Sequence, residues 1–135
     1  MTTLVVVSEV DPGITNEIAP VLLCQQSSPV KVAADLSTKE IIEPVVLLAA
    51  TNRVGWLPAI ARSQRAQGRR ISGYLVIDPV EMSVSDEWPD TPVIALVSGT
   101  AEHSGNLARL RGWRVISYET DSLAETITSA LECFA

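Results

Sequence analysis

Two acidic residues and the only histidine of the chain stand where they could move protons. Glu102 and His103 follow a predicted strand, and Asp121 follows the last predicted strand. Imidazole titrates near neutral pH, and a carboxyl group can act as a general acid or base when burial raises its pKa. These three residues are the candidate catalytic groups. The alternative for each is a solvated loop side chain.

Five further residues are candidates for binding a substrate. Ser8 and Glu9 follow the first predicted strand, whereas Asn52, Arg53 and Trp56 follow the third. Open α/β sheets bind ligands outside the carboxyl ends of their strands. All five residues are candidates because of this position in the sequence. The alternatives are a turn role for Asn52 and a packing role for Trp56.

The sequence predicts neither a metal site nor a cofactor. One histidine and two widely separated cysteines, Cys24 and Cys133, form no recognisable set of metal ligands. Residues 7–13 and 49–55 contain one glycine each, so no glycine-rich phosphate loop is present. We therefore expect a protein that works without a metal or a nucleotide.

Predicted strands and helices alternate along the chain. Apolar runs predict strands at residues 4–7, 30–34, 45–50, 71–77, 93–97 and 113–118. Helical spacing predicts helices from residue 15 or 16 to about 25, and at 56–67, 106–110 and 122–134. This order favours a single α/β domain over 1–135, a three-layer sandwich around a mostly parallel sheet of about five or six strands.

Composition narrows the classes of partner. The formal net charge of −6 disfavours binding to nucleic acid unless basic residues are concentrated, and the one candidate patch, residues 62–70, is more typical of a solvated helix face. No apolar run approaches the length of a membrane span. A cytoplasmic protein with reduced thiols is the default expectation.

Residues 45–60 resemble the strand, sharp turn and helix of the α/β-hydrolase family. There an apolar strand enters a Gly-x-Ser-x-Gly turn that presents the serine nucleophile. Here the matching residues are Ala50-Thr51-Asn52-Arg53-Val54, followed by Gly55-Trp56-Leu57-Pro58. Residues 17–22, 32–36 and 99–102 are also similar to family segments. The resemblance implies a truncated α/β-hydrolase fold that lacks the usual helix between its second and third strands.

The resemblance also implies that the catalytic triad is degenerate. Asn52 occupies the nucleophile position, where its amide cannot attack an acyl group, and Glu102 occupies the position of the catalytic acid. Residues 118–122, where the family carries its histidine, contain none. Glu9 follows the first predicted strand, where the family's loop supplies hydrogen-bond donors to an oxyanion. The carboxylate of Glu9 would instead repel an oxyanion.

The function implied is a non-hydrolytic, cofactor-free enzyme of small-molecule biosynthesis, including natural-product biosynthesis. It would act by acid/base proton transfer, as in cyclisation or dehydration, with Ser8 and Asn52 orienting the substrate. The alternatives are a non-catalytic pseudo-hydrolase that binds a ligand or a partner protein, and, least favoured, an unorthodox hydrolase. Because the lid region, residues 80–90, is short, we expect a homodimer or a partner chain to cover the pocket.

Overall fold

A computed structural model describes residues 2–7, 20–24, 26–79, 91–99 and 102–134, except for the side chains of Glu102 and Thr120. The described strands are Thr3–Val6 (β1), Val21–Leu23 (β2), Val45–Ala50 (β3), Ile71–Ile77 (β4), Val93–Ser98 (β5) and Arg114–Tyr118 (β6). The described helices are Pro29–Ser37 (α1), Leu57–Ala66 (α2), Glu102–Leu110 (α3) and Leu123–Glu132 (α4). Two 3₁₀ turns, Thr51–Trp56 and Thr120–Ser122, precede α2 and α4.

The six strands form one sheet in the order β2-β1-β3-β4-β5-β6, and every described pairing is parallel. All six residues of β3 are buried, as expected for a strand with both faces covered. The three-layer α/β sandwich predicted from the sequence is therefore confirmed. All described strand pairings are parallel, and the sheet has six strands where five or six were predicted.

Side chains that alternate along the strands separate two apolar cores, one on each face of the sheet. On one face Val5, Leu47 and Val76 belong to the same buried cluster as residues of α1, α2 and α3. On the other face Leu48 and Leu96 cluster with the buried side of α4. The sheet is thus enclosed by helices on both faces, which leaves its edges as the places for polar chemistry.

Residues 20–37 correct the sequence interpretation. The helix predicted to reach residue 25 is strand β2 at Val21–Leu23, and the strand predicted at 30–34 lies within helix α1. Ser28 is the N-cap of α1, since its hydroxyl accepts a hydrogen bond from the amide of Lys31 at 3.2 Å, and Pro29 opens the helix. The helix predicted to be missing before β3 is therefore present, and residues 32–36 are not a strand.

The other described elements, apart from α3, lie within two residues of their predicted bounds. Strands β3 and β4 match residue for residue, and α2 ends just before Gly68, whose φ of +84° suits the glycine predicted to end that helix. The first predicted helix otherwise falls on residues outside the described ranges, as does the short lid region. No helix in the described ranges combines the length and the apolarity that a membrane crossing needs.

Arg69 joins the ends of α1 and α2. Its guanidinium donates to the carbonyl of Leu36 at 2.6 Å, to the carbonyl of Lys39 and to the side-chain oxygen of Gln64, which is 1% exposed. These bonds hold the end of α1 against the end of α2. Within the basic stretch 62–70, Arg69 is therefore a structural residue and not part of a solvated face.

Replacing Arg69 by alanine should lower the free energy of unfolding by about 2 kcal/mol, because buried acceptors lose a charged donor. Urea unfolding followed by circular dichroism measures the change. Arg70→Ala is the matched control. Arg70 is exposed, and it bonds to Glu43 and Val45 through its backbone, which the substitution keeps. Equal effects of the two substitutions would contradict a structural role for the Arg69 side chain.

Candidate functional site

The strand order creates a crevice at the carboxyl edge of the sheet. From β1 the chain passes to β2 on one side and, later, to β3 on the other side. Connections that leave neighbouring strands in opposite directions open a gap between their carboxyl ends, and open α/β sheets bind ligands there. We call this gap the switch-point crevice. Val7, just after β1, and the turn after β3 border it, and this turn holds three of the five predicted binding residues, Asn52, Arg53 and Trp56.

The turn after β3 begins with an unusual backbone conformation. Thr51 has φ of +52°, and Asp78, which directly follows β4, has φ of +43°. They are the only non-glycine residues in the described ranges with positive φ. A β-branched residue in this region costs about 1–3 kcal/mol, and such residues cluster at ligand sites. Both strained positions lie at the carboxyl edge of the sheet.

Asn52 is one position away from the expected tip of this turn. Asn52 matches the nucleophile position of the family's turn, but the left-handed backbone conformation belongs to Thr51. Asn52 lies within the 3₁₀ turn with its side chain exposed, and its amide oxygen is 3.4 Å from the hydroxyl of Thr51. Buried Val54 and Leu57 anchor the turn beneath it. The sharp bend predicted after the central strand therefore exists, with threonine at its strained position.

Arg53 spans the switch-point crevice. Its Nη1 donates to the carbonyl oxygen of Val7, just after β1, at 3.0 Å. The guanidinium carbon also lies 4.8 Å from the centroid of the Trp56 ring, an arrangement typical of a cation–π contact. These contacts fix a positive charge between the carboxyl ends of β1 and β3. Two of the predicted binding residues, Arg53 and Trp56, are thus in direct contact.

A second polar group joins the carboxyl ends of β4, β5 and β6. The Tyr118 hydroxyl donates to Asp78 Oδ2 at 2.6 Å, and the backbone amide of Ser98 donates to Asp78 Oδ1 at 2.8 Å. Burial raises the pKa of Tyr118, and the hydrogen bond and charge of Asp78 raise it further, although a hydrogen bond with the Ser98 side chain acts in the opposite direction. The phenol is therefore a neutral donor and not a base.

The predicted catalytic residues lie at other positions, and of Glu102 only the backbone is described. His103 is exposed on α3, and Asp121 is exposed in the 3₁₀ turn after β6. Glu102 begins α3, so Glu102 and His103 lie on a helix and not in the predicted loop. No hydrogen bond or ion pair between described residues joins His103 to Asp121. Helix α3 begins at Glu102, four residues before its predicted start.

The remaining predicted residues Ser8 and Glu9 lie outside the described ranges. Sequence reasoning missed Thr51, Asp78, Ser98 and Tyr118. Their signal was available, because each is a polar residue at the end of a strand or directly after it, and parallel strands bring these ends to one edge.

The described residues offer no site for a metal and no reactive thiol at the crevice. No three histidine, cysteine, aspartate or glutamate residues within the described ranges lie close enough together to hold an ion. Cys24, which follows β2, is buried, and its Sγ lies 3.1 Å from Asp35 Oδ2. Burial is the main cause that raises the pKa of this thiol to about 12, so little thiolate is present at neutral pH.

Comparisons with known proteins identify no relative. No protein-family model, no curated protein and no solved structure matches the chain. The resemblance to α/β-hydrolases therefore rests on the quoted residues alone and stays a prediction. The polar residues that could bind a ligand lie at the carboxyl edge of the sheet.

The two tyrosines should ionise only above the normal pH range of a phenol. Burial raises the pKa of Tyr74 to about 12, against an opposing effect of Arg65 and Arg62, and Tyr118 shifts in the same direction. A raised pKa contributes stability that is complete below the usual value of 10.0 and is lost as pH rises through the folded value. Tyrosinate absorbance should therefore stay low at pH 10 and rise together with alkaline unfolding.

The control for this titration is the same protein in concentrated urea, where both phenols should ionise near pH 10. Tyr118→Phe should halve the delayed signal. Ionisation of Tyr118 near pH 10 while circular dichroism still shows folded protein would contradict the network around Asp78, and ionisation of Tyr74 there would contradict its burial.

Proposed function

We propose that the protein binds a small anionic molecule in the switch-point crevice and does not hydrolyse it. The observation that carries this proposal is the position of Arg53, whose guanidinium lies between the ends of β1 and β3. A guanidinium suits carboxylate and phosphate groups, which are the anionic groups of most small metabolites. In the proposed complex Arg53 holds such a group, and Trp56 provides an apolar wall beside it.

Preorganisation supports this assignment. The hydrogen bond to Val7 and the contact with the Trp56 ring limit the positions that the Arg53 side chain can take. A ligand that meets an already ordered side chain loses less conformational entropy on binding. Strain at Thr51 on the same turn is the kind of backbone feature that binding sites retain. Exposed Asn52 adds an amide that can orient a polar ligand.

Ligand binding without hydrolysis also agrees with the missing catalytic groups. The chain has one histidine, and it lies on α3, which packs beside β5 and β6 and not beside the turn after β3. The hydroxyl of Thr51 has the amide oxygen of Asn52 near it instead of a general base. This favours the pseudo-hydrolase alternative over the acid/base enzyme, since no hydrogen bond or ion pair joins two of its candidate residues, His103 and Asp121.

Arg53→Gln should weaken binding of the ligand about 10- to 100-fold, which corresponds to the loss of a charge-assisted hydrogen bond. Screening small carboxylates and phosphate monoesters by thermal shift identifies a ligand, and isothermal titration calorimetry measures its affinity. Arg53→Lys should keep part of the affinity, because the charge remains but the planar donor group does not.

The matched control is Arg70→Gln, which removes the same charge at the opposite edge of the sheet, before β4. It should leave the affinity unchanged within about twofold. If Arg53→Gln binds as tightly as the unaltered protein, or if Arg70→Gln weakens binding equally, the switch-point crevice is not the site.

A fluorophosphonate probe should label no residue of the folded protein, because the hydroxyl described at the crevice, that of Thr51, lies beside the amide oxygen of Asn52, which cannot act as a general base. Intact-protein mass spectrometry measures the adduct, with a serine hydrolase as the positive control. Labelling at Thr51 would show an activated nucleophile and would support the unorthodox hydrolase instead. Turnover of the ligand that is lost in Glu102→Gln or His103→Ala, with binding retained, would establish the acid/base enzyme.

A further inference from the structure

One edge of the sheet ends in a strand that has a neighbour on one side. Strand β6 is last in the order β2-β1-β3-β4-β5-β6, and within the described ranges its backbone pairs with β5 alone. Its residues Arg114 and Ser117 are exposed, and the other three are half-buried. The backbone groups on the outer side of such a strand can pair with a further strand.

The opposite edge of the sheet is less suited to pairing. Strand β2 has three residues, Val21–Leu23, and Pro20 directly precedes it. Proline has no amide hydrogen to donate, and a very short edge strand is a common device against pairing. Strand β6 is five residues long, contains no proline and pairs with β5 in unbroken register. Of the two edges, β6 is therefore the one that can accept another chain.

Opposite charges occur at the two ends of β6. Residues 109–114, at its amino end, include three arginines and no acidic residue: Arg109, Arg111 and Arg114. Residues 119–125, after its carboxyl end, include three acidic residues and no basic residue: Glu119, Asp121 and Glu125. A second chain that pairs with β6 meets a positive end and a negative end.

The contacts of these residues show which charges another chain can reach. Arg114 is exposed, and its Nη1 donates to Sγ of Cys133 at 3.4 Å. Asp121 is exposed in the 3₁₀ turn after β6. Within the described ranges neither Arg114 nor Asp121 belongs to an ion pair. By contrast, Arg111 lies over the ring of Trp113, at 5.6 Å from its centroid. Arg114 and Asp121 are therefore the charges that a second chain meets most directly.

This order of charges selects among the possible partners. When two copies of β6 pair in antiparallel orientation, the arginine-rich end of each lies beside the acidic end of the other. The same pairing has a twofold axis, so it closes as a dimer. Parallel pairing of two β6 strands would place like charges side by side. Pairing of β6 with β2 of another copy would not close and would form open chains.

Side-chain directions are compatible with the antiparallel pairing. Val115 packs against the apolar core on the face of α1, α2 and α3, and Ile116 and Tyr118 pack against the core on the face of α4. A twofold axis through Ile116, perpendicular to the sheet, keeps each face of one copy beside the same face of the other. Arg114 then lies opposite Tyr118 of the second copy, and Val115 lies opposite Ser117.

We propose that β6 pairs with β6 of a second copy in antiparallel orientation, which joins the two six-stranded sheets into one. The switch-point crevice lies between β1 and β3, and β6 is three positions beyond β3 in the sheet order. The dimer therefore leaves the crevice open, unlike the homodimer expected from the sequence, which would cover the pocket. This interaction surface is independent of the proposed ligand binding.

The first test follows the mass of the protein by analytical ultracentrifugation at low salt, up to about 1 mM. A five-residue edge is smaller than a standard interface, so we expect a dissociation constant of about 10–100 µM. Arg114→Glu or Asp121→Arg should each weaken the dimer about tenfold, because each places like charges together at both ends of the paired strands. Lys31→Glu, at an exposed position of α1, is the matched control and should have no effect.

Combining the two substitutions tests the orientation of the strands. An equimolar mixture of the Arg114→Glu and Asp121→Arg variants should dimerise, because opposite charges again meet at both ends. The double variant that carries both substitutions should also dimerise if the strands are antiparallel, whereas parallel strands would keep like charges together.

Hydrogen exchange tests the backbone pairing without any substitution. Amide exchange in β6 should slow as the concentration of the unaltered protein rises, whereas exchange in β2 should not change. This measurement decides the question even if a charge variant fails to fold, which circular dichroism would show.

Several results would overturn the proposal. The unaltered protein stays monomeric at about 1 mM, or its dimer is insensitive to Arg114→Glu and Asp121→Arg. Exchange in β6 that is independent of concentration while a dimer forms would place the interface elsewhere. Assemblies that grow beyond a dimer would indicate pairing of β6 with β2 instead.

Discussion

Every described strand runs in the same direction, and this constraint decides where polar groups can meet. A parallel sheet needs a crossover after each strand, so the strands all end at one edge. Helices cover both faces, which leaves the interior to apolar residues such as those of β3. Polar side chains with a role in binding are therefore confined to strand ends. Arg53, Asp78 and Tyr118 all lie at this edge.

The sequence predicted the central strands well because their signal is local. Strands β3, β4 and β5 are uninterrupted apolar runs, and their predicted bounds agree with the structure to within one residue. The prediction failed at α1, where Val30-Lys31-Val32 imitates the alternation of a strand. Ser28 and Pro29 were the better signal, because a capping hydroxyl followed by proline is typical of a helix start.

The candidate site was predictable in its position but not in its contacts. Residues after β3 were expected at the carboxyl edge, and Arg53, Asn52 and Trp56 lie there. The bond between Arg53 and Val7 joins residues 46 positions apart, and that between Tyr118 and Asp78 joins residues 40 apart. Such contacts depend on strand order and register, which local patterns do not determine.

The placement of β1 has a consequence for how the chain folds during synthesis. Thr3 pairs with Val45 and Val6 pairs with Leu48, so β1 receives its partner on the β3 side only after those later residues have left the ribosome. Parallel pairings between distant segments form slowly, because the loop must close before its contacts stabilise it. Until then Leu4, Val5, Val6 and Val7 form an apolar segment with an incomplete set of neighbours. Such a segment is prone to aggregate until its neighbouring strands are in place.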